Sequence, residues 1–516
     1  MSKVKLARAA GQIMFITIIS KILGFLRDTM TASAFGANIE SDAYMTALII
    51  PTILFGLFGM AISTTFIPFL SEGLEKNGKK DMFSFANSVI NIIMLISIVL
   101  CLLGWTFTGD LVRFIAPKFD GSKFSLTVKL TRLSIINILF MSLNSGYMAV
   151  LQTLDDFAAP SAVGIAMDLP IIIYLLIGKN HTIMGLTIVT IIGYGGQILI
   201  QIPWLIKHGY KYSFKINFKD PRLKEMLMLI LPVIMGVGIN QINTFVDRVM
   251  ASGLPDGSIS ALQYANRINS IVYNIFAAAI VTVMYPTLSK SIDKNDFTQF
   301  KKYMSKSITN INMIMIPSTV GIMILRTTVI SVLLKHGVFD DKSVYMTSDA
   351  LLFLSIGIGV LGIRDIYNRA FYSMQDTKTP MRNTAIGVGV NIILNIFLTK
   401  YLGIKGLTLA TTSSIVVCTV LLILNLKKRI GNIEGRSLKI STLKITLASI
   451  LMGIVVYFTN EYFINNFAGF RGDLLALSIS VALGVIVYAI LLNIFKVEEY
   501  EVLKRGLVNR IKRKLS

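Results

Sequence analysis

Long apolar runs separated by short polar segments make up almost the whole chain. Most runs extend for about 20 residues, the length that a helix needs to cross a bilayer. Membrane β-strands would instead alternate apolar and polar residues over about ten positions. The pattern therefore predicts an all-α integral membrane protein with about 14 transmembrane helices. Their predicted positions are residues 10–35, 43–70, 84–108, 127–152, 160–178, 183–206, 225–251, 262–288, 304–328, 345–372, 381–399, 406–426, 438–459 and 473–495.

The basic residues of the connecting segments indicate how these helices are oriented. If the N-terminus is cytoplasmic, the inside segments carry roughly three times as many Lys and Arg residues as the outside loops. This imbalance favours an even number of helices with both termini in the cytoplasm. The first run contains Lys21 and Arg27 and leads directly into further runs, so we expect a membrane helix there and not a cleaved signal peptide.

Composition and charge narrow the possible functions. Of the 516 residues, 54% are hydrophobic and 15% are charged, whereas an ordinary globular domain is about 25% charged. A soluble enzyme, a disordered chain and a disulfide scaffold are therefore excluded, and Cys101 and Cys418 form no metal motif. The net charge of +22 is explained by cytoplasmic loops that meet anionic inner-leaflet lipids, so we expect no nucleic acid partner.

The end of the chain has a pattern of its own. From 497 to 515, apolar residues recur every three or four positions with Lys and Arg between them. We predict a basic amphipathic helix at 497–516 that lies on the inner leaflet. A solvated tail is the alternative.

The chain contains a repeat of itself at an offset of about 220 residues. FLRDTM at 25–30 aligns with FVDRVM at 245–250, and Asp156 aligns with Asp376. The offset spans six helices, so the two copies have the same orientation, as in transporters that bind substrate between parallel repeats. We predict two six-helix lobes followed by a terminal helix pair. The predicted domains are 1–215 and 216–430 for the lobes, 431–496 for helices 13 and 14, and 497–516 for the tail helix.

Several charged residues lie inside the predicted helices, where each costs at least about 2.5–3.5 kcal/mol on insertion scales. The deepest are Lys21 and Arg27 on the first helix and Arg267 on the eighth. We predict that these three line a central cavity and bind an anion, because Arg suits bidentate binding of phosphate. Gly24 is a candidate hinge between the first two. The alternative is that the charges pair internally or extend to an interface.

Polar residues on three predicted helices form a candidate cation site. Asn391 and Asn395 share one face of the eleventh helix, and Thr411 and Asp247 lie on the twelfth and the seventh. Hard cations take oxygen ligands of this kind. Asn pairs in membrane helices also bridge neighbouring helices, so both interpretations are kept.

Three segments resemble the signatures of the MurJ (MviN) family. They are SKILGFLRD at 20–28 with FG at 35–36 and SDA at 41–43, SISALQYANR at 258–267, and AFYSMQDTKTP at 370–380. The family comprises lipid II flippases of the MATE-like multidrug/oligosaccharidyl-lipid/polysaccharide exporter superfamily. The resemblance covers nearly the whole chain. It implies a monomeric flippase, not an enzyme, in the bacterial cytoplasmic membrane. Its substrate would be a polyprenyl-pyrophosphate-linked saccharide, first of all the peptidoglycan precursor lipid II, moved to the outer leaflet by alternating access.

The resemblance also implies roles for individual residues. The groove for the polyprenyl tail would fall on about 438–495, and coupling would use sodium or the membrane potential. The implied substrate-binding residues are Lys21, Arg27, Asp28, Asp42, Ser260 and Arg267, and the implied sodium ligands are Asp247, Asn391, Asn395 and Thr411.

The chain departs from the family pattern at five positions, one of which is Asn266 in place of a usual Asp. Phe55 and Met60 stand where the family has Arg and Glu, and Lys21 replaces an Arg. Asn395 stands where an Asp can occur. These departures leave room for another lipid-linked sugar, as in a flippase for teichoic acid or exopolysaccharide lipids.

Two other classes of protein are less favoured. A cation-coupled MATE-type drug exporter should have an acidic cavity, whereas the predicted cavity is basic. A membrane glycosyltransferase should carry paired acidic residues in a large outer loop, and the longest predicted outer loop has only about 18 residues.

Overall fold

The computed structural model describes residues 3–178, 180–294, 296–433, 435–502 and 504–505. Within these ranges all of the regular structure is helical, as the apolar pattern predicts. The helices are α1 (Lys3–Phe35), α2 (Ile39–Thr106), α3 (Thr108–Ile115), α4 (Gly121–Ser134), α5 (Asn137–Thr153), α6 (Ala158–Ile177), α7 (Ile183–Leu199), α8 (Ile202–Lys207), α9 (Pro221–Ala251), α10 (Ser258–Asp293), α11 (Phe297–Leu334), α12 (Asp341–Ser373), α13 (Lys378–Leu402), α14 (Ile404–Ile430), α15 (Arg436–Asn466) and α16 (Gly469–Ile494).

α2 joins two predicted membrane helices into one element of 68 residues. It is interrupted at Gly78, whose φ of 80° and ψ of 178° are not helical. Glycine adopts a positive φ at little cost because it has no Cβ. The polar loop that we predicted between the two apolar runs is therefore wrong: the residues on both sides of Gly78 continue as helix.

Two predicted membrane helices are each broken into two elements. The predicted helix at 127–152 corresponds to α4 and α5, and the one at 183–206 corresponds to α7 and α8. Ten helices among the described residues are long and apolar enough to cross a membrane, or eleven if the bent pair Ser258–Ile275 and Ile280–Ile292 is one span. The count of 14 is therefore not confirmed and stays a prediction.

The helices form two compact units. The first contains Met1–Ser260 and His336–Phe339, and the second contains Ala261–Lys335 and Asp340–Ser516. α9 belongs to the first unit, where it packs against α2. The domain boundaries that we drew from the repeat, at 215 and 430, stay predictions.

Each unit has its own hydrophobic core. Large buried side chains of the first core come from α2 and the segments that pack on it, and those of the second come from α10, α11 and α12. Many apolar side chains on the outer helix faces are exposed instead, as on a surface that meets lipid. The largest fully buried side chains include Phe66, Phe85, Met82, Phe300, Tyr367 and Phe371.

One turn recurs in the two units at an offset of 220 residues. Asp155 and Gln375 both adopt a φ of 58°, which is uncommon for residues other than glycine. The next residue is Asp156 in the first copy and Asp376 in the second. The carboxylate of Asp156 pairs with His208 at 3.0 Å, and that of Asp376 pairs with Arg429 at 2.7 Å. The shared local geometry supports the internal repeat.

The predicted tail helix lies only partly within the described residues, which in this segment are 497–502 and 504–505. Residues 498–502 are helical. The amphipathic helix at 497–516 therefore stays a prediction.

Candidate functional site

Arg27 lies in a cluster of three charged residues in the first unit. Its Nε and Nη2 atoms donate to Asp28 Oδ1 at 3.0 and 2.6 Å, and its Nη1 atom donates to Asp168 Oδ1 on α6 at 2.7 Å. The side chains of Arg27 and Asp168 are 19% and 6% exposed. One partly buried cation therefore faces two carboxylates, which more than neutralise its charge within the unit.

The sequence analysis missed Asp168, although the chain contains a signal for it. Asp168 is the one charged residue in the predicted helix at 160–178. A lone carboxylate inside a membrane helix is costly and needs a partner. The sequence therefore shows that Asp168 needs a partner, but not which helix supplies it.

Lys21 and Gly24 lie on the same helix as Arg27. Lys21 is exposed, and Gly24 is buried. α1 is a single helix from Lys3 to Phe35, so it passes through Gly24 as helix. The predicted roles of Lys21 as a cavity cation and of Gly24 as a hinge stay predictions.

Asp42 and Ser260 meet in a second polar cluster of the first unit. Asp42 Oδ1 accepts from the amide and hydroxyl groups of Ser260 at 2.8 and 2.9 Å, and Oδ2 accepts from the Gly257 amide at 2.8 Å. The exposed fractions of Asp42 and Ser260 are 1% and 0%. Because α10 begins at Ser258, the carboxylate caps its N-terminus, where negative charge is stabilising. Asp42 and Ser260, both implied substrate-binding residues, therefore bind each other.

Lys123 completes this cluster and was also missed by the sequence analysis. Its Nζ atom lies 2.9 Å from Asp42 Oδ2 and 2.8 Å from Asp256 Oδ1, and 4.3 Å from the centre of the Phe119 ring. The sequence places Lys123 in a predicted outer loop, where a lysine is usually solvated. In the structure it lies on α4 with only 10% of its side chain exposed.

A largely apolar cavity of about 400 Å³ lies elsewhere in the first unit. Asn144, Gln152 and Gln197 line it together with Phe55. Among the described residues that line it, none is charged. Phe55 therefore places a phenyl ring where the family resemblance would place an Arg. Met60 lies in α2, with its side chain outside the described part of the structure.

In the second unit, Arg267 lies on α10. The same helix contacts a charged pair on α12. Arg267 is partly buried. Further along α10, Tyr273 donates a hydrogen bond to Asp365 on α12. Arg364 Nε lies 3.5 Å from the same carboxylate. Asp365 of α12 therefore contacts both its neighbour Arg364 and a tyrosine of α10.

Three of the four predicted sodium ligands meet between α13 and α14. Asn395 Nδ2 donates to Asn391 Oδ1 at 2.8 Å, and Asn391 Nδ2 donates to Thr411 Oγ1 at 3.4 Å. Both asparagines are 0% exposed. Asp247 lies on α9 in the first unit, where its Oδ2 accepts from Asn243 at 3.4 Å. The amide cluster bridges two helices, and the sodium site that would include Asp247 stays a prediction.

Comparison with known proteins identifies relatives along most of the chain. The family model described as lipid II flippase MurJ matches residues 31–478. A probable lipid II flippase MurJ from Vibrio cholerae is 30% identical over 412 residues, which cover 77% of this chain and 78% of that protein. Another from Thermotoga maritima is 28% identical over 494 residues, which cover 95% and 97% of the two chains.

The comparison with solved structures also finds a lipid II flippase MurJ. A lipid II flippase MurJ in an inward closed conformation is similar with a TM-score of 0.77 and 29% identity, covering 94% of this chain and 98% of that one. An inward-facing multidrug resistance transporter of the MATE family is similar with a TM-score of 0.69 and 13% identity, covering 82% and 98%. At that identity the second likeness shows the fold alone.

Proposed function

The chain belongs to the MurJ family of lipid II flippases, and we propose that it moves lipid II from the inner to the outer leaflet by alternating access. The match of the family model to residues 31–478 is the observation that carries this proposal. The chain is a transporter and not an enzyme, and it is a multi-pass protein of the bacterial cytoplasmic membrane. We further propose that both termini are cytoplasmic and that the protein acts as a monomer.

Arg27 is the residue that the geometry favours for the pyrophosphate of the substrate. Its guanidinium already binds two carboxylates, Asp28 and Asp168, through three N–H groups. Exchange of one carboxylate for a pyrophosphate oxygen would keep the guanidinium of Arg27 paired and would release that carboxylate from its cation. We propose that Lys21 and Arg267 contact the same anion and that Asp28, Asp42 and Ser260 position these groups.

The polyprenyl tail and the surrounding lipids are the remaining partners that we propose. α15 and α16, at about 438–495, would hold the polyprenyl tail. Their many exposed apolar side chains suit a lipid chain. Anionic lipids of the inner leaflet would contact the basic cytoplasmic loops.

For energy coupling we propose sodium or the membrane potential. The contact of Asn391, Asn395 and Thr411 supports a sodium site, because it collects amide and hydroxyl oxygens at one place. Asp247 would supply the carboxylate.

Phe55 favours one second candidate, a flippase for another polyprenyl-linked saccharide such as a teichoic acid or exopolysaccharide precursor. The phenyl ring removes a cation from the cavity of the first unit. A different headgroup could be accommodated there.

Complementation tests these two candidates. The full chain is expressed in a bacterium depleted of its own lipid II flippase, and the lipid II exposed on the outer surface is measured together with growth. We expect growth and surface lipid II to be restored. Normal membrane insertion without surface lipid II would contradict the proposal and favour the other saccharide.

A further inference from the structure

A non-helical strap joins α8 to α9 and is fixed to α2. The strap comprises residues 208–220. Asn87 of α2 donates to the Lys211 carbonyl at 2.9 Å, and Asn91 donates to the Ser213 and Lys215 carbonyls at 2.7 and 3.3 Å. Two asparagine side chains thus hold the backbone of three alternate strap residues in place.

Tyrosines of the strap strengthen the same contact. Tyr210 donates to Asn87 Oδ1 at 2.5 Å, and Tyr212 donates to Asn91 Oδ1 at 2.6 Å. Each asparagine therefore both donates to the strap and accepts from it. The strap has a defined conformation, so the direction of its side chains is also defined.

The three alternate residues line one cavity. Lys211, Ser213 and Lys215 share its wall with Lys80 and Ser84 of α2, and its volume is about 270 Å³. A period of two is that of extended backbone, in which every second side chain lies on the same face. Three lysines and two serines therefore line the cavity.

The charge of this cavity is not cancelled locally. Among the described residues that line it, none is Asp or Glu. Asp81, next to Lys80 in sequence, is bound by Arg222, whose Nη1 and Nη2 atoms lie 2.6 and 3.2 Å from its two oxygens. The three lysines are therefore available to bind an anion from outside the protein.

Two exposed aromatic side chains lie close to these lysines in sequence, and the same alternation puts Phe214 on the opposite face of the strap, where its ring centre lies 5.0 Å from that of Tyr212. Phe214 is 82% exposed and Phe218 is 73% exposed, and neither lines the cavity. The helices at both ends of the strap also expose apolar side chains, with Ile206 at 65% and Met228 at 61%. The candidate membrane span Ile183–Lys207 ends at the residue before the strap, so its phenylalanines suit the boundary between headgroups and acyl chains.

Resting on the proposed function, in which the strap is a cytoplasmic segment, we propose that the strap cavity binds the phosphate headgroup of an anionic phospholipid of the inner leaflet, with Phe214 and Phe218 inserted into the adjoining membrane boundary. The lysines supply charge complementary to the phosphate, and the serines supply hydrogen bonds. The phenylalanines decide between the sources of phosphate, because a free anion would gain nothing from them. This lipid is distinct from the transported one, and the site lies outside the residues assigned to transport.

The test measures lipid binding to the full chain purified in neutral detergent. Phosphatidylglycerol and phosphatidylcholine are titrated separately, and bound lipid is counted by native mass spectrometry. The variant Lys211→Gln/Lys215→Gln should bind phosphatidylglycerol about 30-fold more weakly, since two lysines near the phosphate are lost. Lys302→Gln/Lys306→Gln is the matched control, because both lysines are exposed on α11 with the same spacing. Equal losses in the two variants would overturn the proposal.

Two further arms separate the lipid from its headgroup. Phe214→Ser/Phe218→Ser should also weaken phosphatidylglycerol binding while leaving the lysines intact. Inorganic phosphate at millimolar concentration should not displace the bound lipid from the unaltered protein. Full displacement by phosphate, or unchanged binding in the phenylalanine variant, would show that the site takes a soluble anion and would overturn the lipid assignment.

Discussion

The Nη1 atom of Arg27 on α1 donates a hydrogen bond of 2.7 Å to Asp168 on α6, 141 residues away in sequence. Asp28, the neighbour of Arg27, accepts from the other side of the same guanidinium. The bond joins α1 to α6 within the first unit. Any anion that reaches Arg27 competes with these carboxylates, so binding and rearrangement of the cluster are coupled.

The first prediction concerns the stability of this cluster. Arg27→Ala leaves Asp28 and Asp168 without their common cation, which should cost about 3–5 kcal/mol. Adding Asp168→Asn to that variant should recover part of the loss, because one buried carboxylate becomes neutral. Thermal denaturation of the purified protein in detergent measures both effects. A double variant that is less stable than Arg27→Ala would contradict the ion-pair interpretation.

The sequence predicts most of the fold and the position of Arg27 because both depend on local pattern. Apolar runs of about 20 residues mark the helices, and a charge inside such a run needs a function or a partner. Asp28 was identified through the family motif. Its partner Asp168 was not, because apolar patterning gives the helix but not which helix it meets.

Other features depend on contacts between residues far apart in the chain. In the sequence, Asn87 and Asn91 are two ordinary polar residues of a predicted helix. Their role is visible only in the structure, where they hold the strap. The sequence predicts that Lys123 lies in a loop, whereas in the structure it lies on α4 and pairs with Asp42. No spacing rule within one segment encodes such pairings, and the family signatures quoted above do not contain them.

The second prediction concerns the buried carboxylate at the start of α10. Asp42→Asn removes the charged acceptor of Lys123 and of two backbone amides, and should cost about 1.5–3 kcal/mol. Asp256→Asn is the matched control, because it contacts the same lysine but is 52% exposed, and it should cost less than about 1 kcal/mol. Melting temperatures of the two variants in detergent provide the comparison. Equal shifts would show that burial of Asp42 is unimportant.

The third prediction concerns pH and the loop before α13. Burial acts to raise the pKa of Asp376, but hydrogen bonds from the Thr379 amide and hydroxyl and the charge of Arg429 outweigh it and hold the pKa below its usual range. A carboxyl with a depressed pKa stabilises the folded state above its unfolded pKa, about 3.9, and loses this effect as pH falls through the folded value. Asp376→Asn should therefore be less stable than the unaltered protein at pH 6, and the difference should shrink below about pH 4. If the difference in stability between Asp376→Asn and the unaltered protein does not depend on pH, the depressed pKa of Asp376 is not its cause.

The fourth prediction concerns sodium. If Asp247, Asn391, Asn395 and Thr411 form a site, Asp247→Asn should abolish any dependence of flipping on sodium, because the one carboxylate ligand is lost. Asn395→Asp should lower the sodium concentration required, since it adds a charged oxygen ligand. Flipping in vesicles with sodium replaced by choline measures both effects. If the unaltered protein flips equally well in choline, coupling uses the membrane potential or another ion.

The last prediction concerns the contact between the transporter and the pyrophosphate. Arg27 makes three hydrogen bonds through a planar fork, which a lysine ammonium cannot reproduce. Arg27→Lys keeps the charge, so it should be more stable than Arg27→Ala, yet losing one charge-assisted bond of about 1.5–3 kcal/mol should slow flipping by about 10- to 150-fold. Arg267→Ala should abolish flipping with normal amounts of protein in the membrane. Flipping is measured with lipid II in vesicles, and the amount of inserted protein is the control. Full transport by Arg267→Ala would refute the shared anion site, and full transport by Arg27→Lys would show that charge alone suffices at this position.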